Sequence, residues 1–173
     1  FDVVGRGKKN ADLFFEAIGK QPVLGIEKVD FTKGYSHTII AVSINQLSKV
    51  CMQLIDQGIR YILLEKPGAV SIEEYRALYQ KIDVHEKSIY IAYNRRFYQS
   101  AIKAREIITE DGGVQSFFFD FTEWAHVLSE LDKPSEIKEN WFFINSTHIV
   151  DLAFHLAGKP LNMYCFSKGK DEL

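Results

Sequence analysis

Lys66 is the residue in this sequence best placed to do chemistry. It follows the apolar run Tyr61-Ile62-Leu63-Leu64 within Glu65-Lys66-Pro67-Gly68, and in parallel α/β sheets ligands bind beyond the carboxyl ends of the strands. A lysine there can be partly desolvated, which lowers its pKa toward the range of a proton donor or acceptor. Pro67 fixes the backbone and aims the ammonium; an ordinary solvated loop lysine is the competing reading. Two further loops leave strands at the same edge, Gly5-Arg6-Gly7 and Ser43-Ile44-Asn45. A second polar set stands at helical spacing: His148, Asp151, Leu152 and His155 fall at i, i+3, i+4 and i+7, hence on one face. Asp151 is either a carboxylate that orients an imidazole or a structural helix acid, and His155 reads first as a packed or interface histidine. A His-Asp-His metal site is disfavoured, because i to i+7 spans two turns and no further cluster of strong ligands is evident.

The elements that must position these residues alternate along the first half of the chain. Residues 1–4 read as a short buried strand. Residues 10–18 read as a helix capped by Asn10, with Leu13, Phe14, Ala17 and Ile18 as its apolar stripe. The run 37–43 suits a central parallel strand buried on both faces. Leu47, Val50, Cys51, Leu54 and Ile55 give residues 46–57 a helical period, ended by Gly58. Residues 61–64 form the next strand, Ser71 and Glu74 a capping box for a helix carrying Leu78 and Ile82, and residues 88–92 another strand. This alternation predicts an incomplete doubly wound, Rossmann-type parallel sheet. The order then changes: a helix at 98–108, a long strand at 114–124 with Phe117, Phe119 and Phe121 on one face, and a polar loop or lid at 129–140. A helix at 146–157 stopped by Gly158-Lys159-Pro160 follows, then a strand at 161–167.

Composition narrows the classes. The chain has 173 residues, 46% of them hydrophobic and 25% charged, which excludes disorder and low complexity. Its 21 lysines and arginines against 23 acids leave a net charge of −2, so no general attraction for nucleic acid or an anionic membrane is expected. No apolar run approaches the length of a bilayer-spanning helix. Cys51 and Cys165 have no metal or redox spacing, and reduced thiols in the cytoplasm are the simpler expectation. The last four residues, Lys170-Asp171-Glu172-Leu173, match a retention address of the secretory pathway, but residues 1–4 start directly in strand-like sequence without a signal-peptide pattern, and coincidence is the favoured expectation.

Three ordered motifs carry a resemblance across nearly the whole chain. Glu65-Lys66-Pro67 with Ser71-Ile72-Glu73-Glu74, then Asn94-Arg95-Arg96-Phe97, then Asn145-Ser146-Thr147-His148-Ile149-Val150-Asp151 resemble the Gfo/Idh/MocA family of sugar and polyol oxidoreductases. The resemblance implies a partial NAD(P)-binding domain over residues 1–92. It also implies the start of an α+β substrate and oligomerisation domain over 93–173, with an open, largely antiparallel sheet. It gives catalytic roles to Lys66 and His148, with Asp151 beside them; imidazole suits proton transfer because its pKa lies near neutrality. It places Ser43, Asn45, Glu65, Pro67 and Arg96 against the cofactor and Asn94, Asn145 and His155 toward a carbohydrate-like substrate, with a homo-oligomer formed through the second sheet. Two positions depart from the family pattern. Ile144 stands where an aspartate commonly lies one turn before the histidine, and Ser43, Ile44 and Ser48 replace most of a Thr-Pro-Asn-x-x-His loop. These departures favour the rival reading, a non-catalytic Rossmann-like binding or assembly protein.

Gly5-Arg6-Gly7-Lys8-Lys9-Asn10 offers only two glycines of the dinucleotide fingerprint. The family comparison makes this the second strand and its loop, so both ends are expected to be truncated and the glycine fingerprint to lie upstream. Arg6 then occupies the tip where an acid would hold the ribose 2′-hydroxyl, which favours NADP mildly over NAD, an exposed turn arginine being the alternative. Without its first strand the sheet would carry an exposed edge, an aggregation hazard.

Overall fold

The computed structural model describes residues 1–84 and 88–166. The C-terminal Lys-Asp-Glu-Leu and the end of the expected 161–167 strand lie outside the described residues. The chain divides into two compact units, Phe1–Ser36 and His37–Leu173.

The first unit is a βαβ element. Strand β1 (Val4–Gly5) leads into helix α1 (Lys8–Ile18), and β2 (Val23–Leu24) pairs parallel to β1 with Val4 opposite Val23. The helix starts earlier than Asn10: Gly7 occupies the cap position without a side-chain cap bond, so its first turn is held by backbone geometry. Only Ala11 of α1 is buried, while Leu13 and Ile18 of the expected stripe are more than half exposed. Asp2 ties the ends of this unit together, accepting from the Tyr35 hydroxyl and from Lys33 Nζ at 3.1 Å. These bonds, Tyr35 first, hold its carboxyl down to about 2.

The second unit opens with the parallel sheet β3 (His37–Ile40), β4 (Tyr61–Leu64) and β5 (Ser88–Ile91), in the order β3-β4-β5. Ile40, Leu64 and Ile91 stand side by side at its carboxyl edge. Helices α2 (Leu47–Asp56) and α3 (Ile72–Val84) connect these strands. Strands added in sequence by right-handed crossovers put both helices on the same face. Accordingly Ile40, Ile62 and Leu64 are buried with Leu47, Cys51, Leu54 and Ile55, whereas the other face is open, with Ile39 75% and Tyr90 64% exposed. The expected burial of the 37–43 run on both faces is therefore corrected, and the strand itself ends at Ile40. Half of the capping box forms: Glu74 N donates to Ser71 Oγ at 3.3 Å. The Glu74 carboxylate turns instead to Val70 N and to buried Ser48 Oγ at 2.7 Å, fastening the loop after Lys66 to the start of α2.

Beyond β5, a 3-10 turn (Asn94–Phe97) precedes α4 (Gln99–Glu110). Residues 114–124 are not a strand: they make no hydrogen-bonded ladder among the described residues. Their side chains still alternate, with Phe117, Phe119 and Phe121 stacked at 6.0 and 6.3 Å and Phe118 on the other side, 89% exposed. Alternation requires only an extended backbone, whereas a strand needs a partner. Helix α5 (Ala125–Glu130) ends within the first residues of the expected polar loop 129–140, and α6 (Ser135–Glu139) lies inside it. A π-helical turn (Phe142–Ser146) then runs into α7 (Thr147–Ala157), and residues 161–166 form no strand. Thus the segments expected to begin an antiparallel sheet do not pair among the described residues. No helix of the described residues is long and apolar enough to cross a membrane.

Candidate functional site

Lys66 leaves the carboxyl end of β4, and its Nζ donates to the backbone carbonyl of Ile144 at 3.2 Å. Apolar packing on both sides makes this reach possible. Pro67, Gly68, Ala69 and Val70 are all buried behind the lysine, and Val70 packs with Ile137 and Ile144 in a cluster joined by Ile44, Trp141 and Phe143. That cluster joins the loop carrying Lys66 to the turn that opens α7. Gly68 is required there: its φ is +93°, and a Cβ would meet Ile91 Cδ1 at 2.8 Å.

His148 follows one turn after Ile144. Its ring stands edge-on to Tyr93, with centroids 5.7 Å apart. Nδ1 is buried and has no hydrogen-bond partner among the described residues. Burial, then the positive charges of Lys66 and Arg95, hold the imidazole below its ordinary pKa, with Glu65 and Asp151 opposing. The Lys66 ammonium is lowered as well, first by burial, with Glu65 opposing and Arg95 assisting. The sequence thus supplies a half-buried amine and a neutral imidazole close enough to feel one another, an arrangement suited to moving a proton on a small polar group.

Other expected residues are placed differently. The Asp151 carboxylate is taken by Arg96, from Nε to Oδ2 at 2.7 Å and from Nη2 to Oδ1, which pins the 3-10 turn after β5 to α7. His155 lies farther along α7 beside Arg105, whose Nη1 is 3.2 Å from Nε2, in a groove of about 440 Å³ that also includes Arg96, Ile102 and Thr109. Asn145 is exposed and donates from Nδ2 to Glu123 Oε1 at 3.2 Å. Ser43, Asn45, Glu65 and Asn94 are exposed along the carboxyl edge of the second unit, and Pro67 is buried. Arg6 is exposed on the β1–α1 loop of the first unit. No group of metal-ligating side chains occurs among the described residues.

Two residues escaped the sequence reading. Arg95 stands between Asn94 and Arg96, and its positive charge acts on both Lys66 and His148. Glu123 gathers donors from three side chains around the π-helical turn. Nothing local in sequence signals either contact.

No family model and no curated protein sequence matches the chain. Solved structures do. A provisionally assigned NADPH-dependent oxidoreductase from Desulfitobacterium hafniense is 18% identical with a TM-score of 0.68, over 90% of this chain and 46% of that one. A provisionally assigned myo-inositol dehydrogenase from Sinorhizobium meliloti is 17% identical with a TM-score of 0.69, over 92% and 47%. The WlbA dehydrogenase from Bordetella pertussis, solved with NADH and UDP-GlcNAcA, is 14% identical with a TM-score of 0.68, over 91% and 47%. At these identities the likeness shows the fold, a mixed α/β architecture with parallel sheets of Rossmann type. The chain spans about half the length of the structures it matches.

Proposed function

We propose that this chain is part of an NAD(P)-dependent oxidoreductase that moves hydride between nicotinamide C4 and a carbinol carbon of a sugar, polyol or sugar derivative. The observation that carries this reading is the convergence of Lys66 and His148, the amine held on the Ile144 carbonyl one turn before the ring. Likeness in fold to dehydrogenases, one of them solved with NADH and a nucleotide sugar, supports it. Residues 1–92 then belong to the nucleotide-binding domain and 93–173 to the beginning of the substrate domain, whose sheet would serve oligomerisation.

A bound nicotinamide supplies the hydride acceptor or donor. The carboxyl edge fits such a group in donor chemistry: Ser43, Asn45 and Glu65 are exposed beside half-buried Lys66, above the aligned ends Ile40, Leu64 and Ile91. In the oxidative direction Lys66 Nζ donates to the substrate oxygen and lowers the cost of its developing negative charge. His148 Nε2 accepts the hydroxyl proton, which a neutral ring can do near pH 7. Asn94 and Asn145 orient the remaining hydroxyls, and His155 lies at the outer end of the same helix. Arg96 holds its turn through Asp151, and Arg6 would contact a 2′-phosphate. Ile144 in place of a carboxylate favours one other reading, a non-catalytic nucleotide- or sugar-binding module.

Lys66→Met in the full protein separates the two, assayed against a panel of sugars and polyols with direct titration of NADPH and NADH. The expected result is loss of turnover with cofactor affinity retained and NADPH bound more tightly. Absence of turnover in the unsubstituted protein across the panel would overturn the enzyme reading, and a clear NADH preference would overturn the role given to Arg6.

A further inference from the structure

Glu123 ends the extended segment 114–124, and its carboxylate accepts from Trp141 Nε1 at 3.0 Å, Asn145 Nδ2 at 3.2 Å and Ser146 Oγ at 2.5 Å. The indole N–H and the amide NH2 that face it can only donate, so an acceptor with spare lone pairs is what this arrangement needs. Ser146 is fully buried, and its bond is the first cause holding the Glu123 carboxyl below its ordinary value. All three donors flank or belong to the π-helical turn Phe142–Ser146. That turn presents the Ile144 carbonyl to Lys66 and continues directly into Thr147-His148.

We propose that Glu123 is a positioning residue that clamps the π-helical turn, so that the Ile144 carbonyl holds the Lys66 amine while His148 is kept beside it. It does not act on the imidazole by charge, since the charges that reach His148 are those of Lys66, Arg95, Glu65 and Asp151. Its effect is geometric, delivered from a segment that no ladder holds in place. An effect on turnover rests on the dehydrogenase reading; an effect on the Lys66–His148 relation does not.

The test compares Glu123→Gln, Glu123→Ala and Glu123→Asp in the full protein, each confirmed as folded by circular dichroism. His148 is titrated by NMR, Lys66 reactivity is measured by competitive amine labelling, and steady-state kinetics are recorded. Glu123→Gln keeps the size but turns an NH2 toward one of three donors, so the turn shifts and the amine moves. His148 then titrates higher, toward its ordinary value, Lys66 labels at a changed rate, and kcat falls about tenfold to a hundredfold with the cofactor KM unchanged. Glu123→Asp, which keeps the charge, recovers part of each effect and carries the test if the other variants fail to fold. A folded variant with wild-type His148 titration and Lys66 labelling overturns the proposal. If the unsubstituted protein shows no turnover, the dehydrogenase reading falls and those same two readouts still decide the role of Glu123.

Discussion

Substituting Arg96 tests whether the turn after β5 is held on α7 by one ion pair. The Asp151 side chain is only 11% exposed, whereas that of Arg96 is 41% exposed. Removing one partner of a fully buried pair costs about 3–5 kcal/mol, because a charge is left without compensation. Exposed pairs are worth about 0–1 kcal/mol. This pair lies between those limits: the acid is desolvated, the guanidinium is screened on one side, and the contact is bidentate. Arg96→Ala is therefore expected to cost about 2 kcal/mol. Asp151→Asn should cost somewhat less, since the amide keeps one acceptor. The double variant should cost less than the two together, with a coupling of about 1–1.5 kcal/mol. Urea unfolding of the four proteins measures it, read as midpoint shifts at constant slope. Arg96→Lys should recover little, because a point charge cannot make the two parallel bonds. Coupling below about 0.3 kcal/mol would refute the argument and leave Arg96 available to a ligand.

Further outcomes follow from the site. With His148 held below its ordinary 6.5 by burial and by Lys66 and Arg95, turnover should fall only as pH drops below that value. Arg95→Gln removes one neighbouring positive charge, so protonation becomes easier and the acidic limb of the rate profile should move upward. The same sign applies to folding: the unfolded chain binds the proton first, so this histidine withdraws stability as pH falls below the ordinary value. Gly68→Ala should destabilise by about 1 kcal/mol, since an L side chain is strained at a φ of +93°, while the contact with the tip of Ile91 can be relieved by a rotamer change. Calorimetry reads the loss, and an unchanged midpoint would contradict the backbone strain described.

Much of the parallel half was legible because its signals are local. The run 61–64 is the strand, and α2 and α4 lie within two residues of their expected limits, since apolar period and Gly58 mark them. The 114–124 segment misled because alternating phenylalanines report which way side chains point, not whether a partner strand is present. The start of α1 misled because Asn10 has the chemistry of a cap but Gly7 has the position. At the site, Lys66 and His148 could be paired only through resemblance, as 78 residues separate the amine from the carbonyl that holds it. Glu123 lay further out of reach: its three partners are set by the tertiary path of the chain.

The π-helical turn fixes more than a carbonyl. Each residue of an α-helix advances the direction of its side chain by about 100°, so one extra residue accommodated within a turn rotates everything downstream by that amount. His148 therefore owes its azimuth to the widened loop at Phe142–Ser146. Were the same residues wound as ordinary helix, unbroken to a circular-dichroism spectrum, the imidazole would point about a quarter-turn away from the lysine.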